Sequence, residues 1–171
     1  MIIAAIALLA AATVVPLLLN WRRLPHWLGP IAALLLLAAA AIAAVQGKGA
    51  YGFGRGAAAV CTVAAAMLGG IPLPPAAFRI ARQQPDAGDQ LPTIEGPLRG
   101  GRMIGILERA AIAAAILAGR PDGLAVIMAV KSLARYPDLR DSNVSEQFII
   151  GTFSSVLWSV SVAAVGRHLV H

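Results

Sequence analysis

The chain has 171 residues, of which 58% are hydrophobic and only 13% charged, with a formal net charge of +6. A soluble domain of this size covers its surface with far more charge, so the composition excludes an ordinary water-soluble globule and makes the bilayer the simplest solvent. A basic excess often marks nucleic-acid binding, but most Lys and Arg here fall between apolar runs, where membrane topology accounts for them; nucleic acid is not an expected partner.

The first apolar run is Ile2–Leu19. No basic segment precedes it and Arg22-Arg23 follow it, the reverse of an export signal, so it reads as a retained first helix. The second, Leu28–Val45, is opened by Trp27 and followed by a glycine-rich turn over 46–55. The third runs from Gly56 to about Leu73, where glycine and proline break it. Each reaches, or nearly reaches, the roughly 20 residues that cross about 30 Å of hydrocarbon. Residues 76–102 read as a polar cytoplasmic loop with a short interfacial helix at Ala76–Arg82. The fourth run, Met103–Ala118, ends at Gly119-Arg120-Pro121-Asp122-Gly123, whose residue types favour a tight hairpin. The fifth, Leu124–Tyr136, is short and carries Lys131. After the loop 137–145, Asn143 and Glu146 have capping-box spacing and open the sixth run, Gln147–Val165.

The expected architecture is an all-α, polytopic transmembrane helix bundle forming a single membrane-embedded domain over 1–171. Three N-terminal helices lie in 1–75, the loop in 76–102, and three C-terminal helices in 103–171. A re-entrant hairpin at 103–136 is the alternative and leaves four full crossings. Basic residues set the orientation. Lys48, Arg55, Arg120 and Arg167 fall on one side; Arg22, Arg23, Arg79, Arg82, Arg99, Arg102, Arg135 and Arg140 fall on the other. The richer side is placed in the cytoplasm, with both termini outside.

Ionisable residues inside two of the apolar runs carry the functional signal. A charge at membrane depth costs at least about 2.5–3.5 kcal/mol on insertion scales, so it needs a partner or a purpose. Glu108 lies about six residues, or about 9 Å, inside the fourth run, and Lys131 lies at a matching depth in the fifth. The Pro121 turn makes those helices neighbours, so the two side chains are expected to meet. Arg135 shares a face with Lys131, whereas Arg109 points about a quarter-turn from Glu108. Glu146 sits at the mouth of the sixth run, with Thr152 and Ser155 deeper on one face. Glu108, Lys131, Ser132, Arg135, Glu146 and Thr152 are thus expected to cluster in the cytoplasmic leaflet. A purely structural reading stands beside the functional one: an ion pair that fixes packing, hydroxyls that bond across helices, and basic side chains that snorkel.

Other patterns carry less. Gly47–Gly52 matches G-x-G-x-x-G but follows a membrane helix rather than a strand, so it is a flexible turn. Cys61 is the single cysteine, and the three histidines lack HExxH-type spacing; neither a metal site nor a cofactor is expected.

Three blocks in the C-terminal half look familiar together. Gly101-Arg102-Met103-Ile104-Gly105-Ile106-Leu107-Glu108-Arg109, Ala129–Tyr136 and Glu146–Ser155 resemble a family of small uncharacterised bacterial integral-membrane proteins, over residues 101–155 only. Met103 stands where that family often carries an aromatic. The resemblance implies a bacterial cytoplasmic (inner) membrane location and a role for Glu108, Arg109, Lys131, Ser132, Arg135, Glu146 and Thr152; it supplies no activity. The expected partners are the lipid bilayer, a small anion or anionic lipid headgroup at the polar cluster, and further copies or other subunits of an oligomer. Binding or transport of that anion is the first expectation for function. A structural or accessory subunit of a membrane complex is the second, and a membrane-embedded enzyme on a lipid phosphate the third.

Overall fold

A computed structural model describes residues 2–21, 25, 27, 28–47, 50–82, 101–134, 136 and 142–170. Among these residues the secondary structure is helical and contains no strand. The helices are α1 (Ile2–Trp21), α2 (Leu28–Val45), α3 (Phe53–Ala64), α4 (Leu73–Arg82), α5 (Gly101–Leu117), α6 (Gly123–Ala134) and α7 (Ser142–Val170). A π-helical turn, Ala65–Gly69, extends α3 towards α4.

Four stretches are long and apolar enough to cross a membrane: Ile2–Leu19, Leu28–Val45, Phe53–Ala81 and Ser145–Val170. Large apolar side chains, among them Leu35, Phe53 and Val60, are exposed all along them. Such a surface is a liability in water and ordinary in lipid, so the pattern is that of a membrane protein.

Several boundaries differ from the sequence reading. The glycine and proline run after Leu68 does not end the third helical stretch, because the backbone passes through the π turn and a short turn at Gly70–Pro72 into α4. The short helix expected at Ala76–Arg82 is present as α4 and starts earlier, at Leu73, while Gly101 and Arg102, expected in the loop, open α5. Prolines at 72, 74 and 75 are tolerated because they flank the first turn of α4, where an N–H has no helical partner anyway. Phe53 and Arg55 lie in α3 rather than in the glycine-rich turn. Asn143 lies one residue inside α7, which also runs past Val165 to Val170.

Small residues let the helices approach closely. Ala5 and Leu9 of α1 pack with Ala33, Leu37 and Ala40 of α2, and α7 lies in the centre against α3, α4 and α5. At Gly166 of α7 any Cβ would overlap the Thr62 side chain of α3. A Cβ on Gly70 would stand 2.6 Å from Trp158 and 2.8 Å from the Arg109 side chain. In lipid such close contacts take the place of a hydrophobic driving force between helices. Buried hydroxyls are satisfied within their own helices: Thr13 donates to Leu9 O, Thr62 to Ala58 O and Ser159 to Ser155 O.

α5 and α7 run in the same direction. Arg109 reaches Ser155 near their midpoints, and the Arg167 guanidinium donates to Ile116 O at 3.0 Å near their C-terminal ends. The turn after α5 thus lies level with the end of α7, where Ala50 N–H also donates to Leu169 O at 2.7 Å. α6 returns along α5 and contributes no fully buried residue.

Candidate functional site

A cavity of about 1240 Å³ opens between α4, α5, α6 and α7. Its position follows from the lengths of the last helices. α6 is only 12 residues long and packs mainly on α5, so the space beside α7 is left largely unfilled.

The Glu108–Lys131 pair lines this cavity, and the two side chains are hydrogen-bonded and ion-paired. The pairing is the one that the matched depth and the Pro121 hairpin call for. About one-fifth of each side chain remains exposed, 16% for Glu108 and 21% for Lys131. The Lys131 ammonium also stands 5.7 Å over the Phe148 ring of α7, a cation–π contact that ties α6 to α7 across the cavity.

Arg109, a quarter-turn from Glu108 on α5, turns into the bundle. It is 4% exposed and spans α3 and α7 as well as α5. Its Nε donates to Met67 O at 3.0 Å and its Nη1 to Ser155 Oγ at 3.2 Å. Trp158 Nε1 donates to Ala65 O at 3.1 Å on the same stretch. A π turn breaks the regular i→i−4 ladder and presents carbonyls that need other donors. In hydrocarbon no water supplies them, so Arg109 and Trp158 do. Among the described residues no carboxylate forms an ion pair with Arg109, and its charge rests on these acceptors with Glu108 as its chain neighbour.

Thr152 and Ser155 are both buried and both face the cavity, as their shared helical face requires. Two other candidates do not join them. Glu146 is exposed and lies outside the cavity wall, because it stands on a different face of α7 from Gln147, Gly151 and Ser155. Ser132 is half-buried and also outside the lining, one position round α6 from Lys131. Arg135 lies outside the described residues. The expected six-residue cluster is therefore narrower: Glu108, Lys131 and Thr152, with Arg109 and Ser155 behind them.

The structure adds residues that the sequence reading used only for topology or passed over. Arg79 of α4 and Arg102 of α5 line the cavity, as do Gln147 and Phe148 of α7. Gln147, Gly151 and Ser155 stand at i, i+4 and i+8, so a helical projection outward from Thr152 and Ser155 was the available signal. The Gln147 Nε2 atom is buried without a hydrogen-bond partner. The rest of the wall is apolar, with Phe78, Ile104, Leu107, Val126, Ile127 and Val130 prominent.

Among the described lining residues there are four permanent or near-permanent cations, Arg79, Arg102, Arg109 and Lys131, against one carboxylate, Glu108. No family model matches the chain, and no curated protein or solved structure matches it. The chemistry of the site itself is what points to a function.

Proposed function

We propose that this chain is a multi-pass protein of the bacterial cytoplasmic membrane whose inner-leaflet cavity binds or moves a small anion or an anionic lipid headgroup. The observation that carries the reading is the excess of basic side chains, four to one carboxylate, among the described residues in the wall of one cavity. Basic pockets between membrane helices are suited to anionic head groups. Charges kept at membrane depth are functional more often than ornamental, because their cost needs an offset.

The proposal includes six crossings with both termini outside. The turn after α5 lies level with the far end of α7, which supports full crossings for α5 and α6 over a shallow re-entrant loop. The eight-to-four split of basic residues between the two sides supports the orientation. The three C-terminal sequence blocks and their resemblance to small bacterial membrane proteins support the location.

A second reading, an accessory subunit of a membrane complex, is favoured by α6. That helix buries no residue fully and exposes Val126, Val130 and Leu133, a face open to lipid or to another subunit. The test is equilibrium binding to the purified chain in a neutral detergent. Anionic ligands should bind and raise the melting temperature, more weakly as salt rises, while cationic ligands should not. Absence of anion binding at low salt would leave the accessory-subunit reading as the better one.

A further inference from the structure

We propose that the ligand of this cavity is a phosphate carried on a lipid, and that Gln147 is a neutral donor reserved for its oxygens. This rests on the reading of the cavity as an anion site and adds the ligand class and a specificity-determining residue.

Three observations lead there. The first is size. A cavity of about 1240 Å³ exceeds the 300–1,000 Å³ typical of sites for drug-sized molecules, and a bare inorganic anion would occupy a small corner of it.

The second is the wall. Ile104, Leu107, Val126 and Val130 line the cavity and are also more than half exposed. They belong at once to the pocket and to the lipid-facing surface of α5 and α6. An acyl chain passes along such a wall without leaving hydrocarbon, whereas a hydrated ion gains nothing from it. Charge sits at other points of the wall. Arg79 and Arg102 are exposed, and neither forms an ion pair among the described residues. The pocket is therefore amphipathic in the sense that a phospholipid is.

The third is the unpartnered donor. A buried amide N–H without an acceptor costs about 1–3 kcal/mol, and native structures hold few of them. Among the described residues Gln147 Nε2 is one; its residue lines the cavity, while this atom is itself covered. Thr152 and Ser155 continue the same wall one to two turns along α7, and Lys131 stands over the neighbouring Phe148 ring. Lys131 is already neutralised by Glu108 and Arg109 is engaged with Met67 and Ser155. A phosphate oxygen entering past Arg79 and Arg102 supplies the acceptor that Gln147 lacks once rotation of the side chain turns its amide into the cavity.

The shared chemistry is the phosphate oxyanion, and the experiment separates its sources. The detergent-purified full chain is titrated with dioctanoyl phosphatidic acid, dioctanoyl phosphatidylcholine and inorganic phosphate, with binding read by native mass spectrometry and by melting temperature. Phosphatidic acid should bind at least tenfold more tightly than either other probe. Gln147→Leu should weaken phosphatidic acid binding about tenfold, the loss expected for one hydrogen bond to a charged group, while the unliganded melting temperature holds or rises. Gln147→Glu, similar in shape but anionic, should weaken it at least as much. Equal binding of inorganic phosphate and phosphatidic acid overturns the lipid assignment and leaves the anion site standing. Equal binding of the zwitterionic lipid overturns selection by charge. Unchanged affinity in Gln147→Leu, or a lower melting temperature without ligand, overturns the role of Gln147 as reserved donor. No binding of any phosphate probe removes both this inference and the anion reading beneath it.

Discussion

Replacing Lys131 by Met keeps a long apolar side chain in the wall and removes the charge that faces Glu108. Removing one partner of a fully buried pair costs about 3–5 kcal/mol, and of a surface pair about 0–1. Here roughly four-fifths of each side chain is covered, 16% of Glu108 and 21% of Lys131 remaining exposed. Partial contact with solvent or headgroups screens the loss, so about 2–3 kcal/mol is expected for Lys131→Met. Glu108→Gln, which leaves the ammonium against a neutral amide, should cost somewhat less. With both changes no charge is left unpaired, and the double variant should recover most of the loss, a coupling of roughly 3–4 kcal/mol. Cys61 supplies the assay. It is the single cysteine and is partly covered within the bundle, so a thiol-reactive fluorophore reports thermal unfolding in detergent. At about 2–4 °C per kcal/mol, Lys131→Met should melt roughly 4–12 °C lower and the double variant within a few degrees of the parent. Arg120→Ala is the control. Its pair with Asp122 spans 3.4 Å between side chains 75% and 68% exposed, and it should melt within a degree or so of the parent. Single variants of Glu108 and Lys131 that both melt with the parent, and show no coupling, would mean that water already separates the two charges. The pair would then be no part of a low-dielectric site.

Other consequences of the packing are open to the same melts. Gly70→Ala drives a methyl group into Trp158 and the Arg109 side chain and should cost about 1–3 kcal/mol; Gly56→Ala, which meets nothing within 4 Å in α3, should be neutral or stabilising, and the reverse order would refute the close approach. Arg109→Lys keeps the charge but has no planar fork to serve Met67 O and Ser155 Oγ together, so it should lose about 1.5–3 kcal/mol; a melting temperature equal to the parent would show that the π-turn carbonyls find other donors. For topology, a reporter that folds only outside the cytoplasm, fused after His171, should be active, and activity confined to a cytoplasmic reporter would reverse the proposed orientation.

Much of the fold is one-dimensional information. Ile2–Leu19, Leu28–Val45 and the apolar body of α7 are legible from sequence because a span needs only enough consecutive apolar residues, whatever they later touch. The Glu108–Lys131 contact is legible for a related reason. The two residues lie 23 positions apart across a single tight turn, so counting residues to the turn measures their depth. Glu146 shows where that counting fails. The face that α7 turns to its neighbours is set by Gly151 against Phe78 and by Trp158 against the π turn. Arg109 and Gln147 belong wholly to the tertiary structure. The acceptors of Arg109 lie 42 and 46 residues away: the Met67 carbonyl within the π turn of residues 65–69, and the Ser155 hydroxyl on α7. Nothing in Ala65-Ala66-Met67-Leu68-Gly69 distinguishes that turn from an ordinary α-helical one. The Gln147 amide looks like any polar residue at a helix start until packing covers its donor and leaves it, among the described residues, without an acceptor. Sequence sets which segments enter the membrane, because hydrophobicity adds up residue by residue. Only packing decides which polar groups end up facing each other or nothing, because that depends on the rotation of each helix about its own axis.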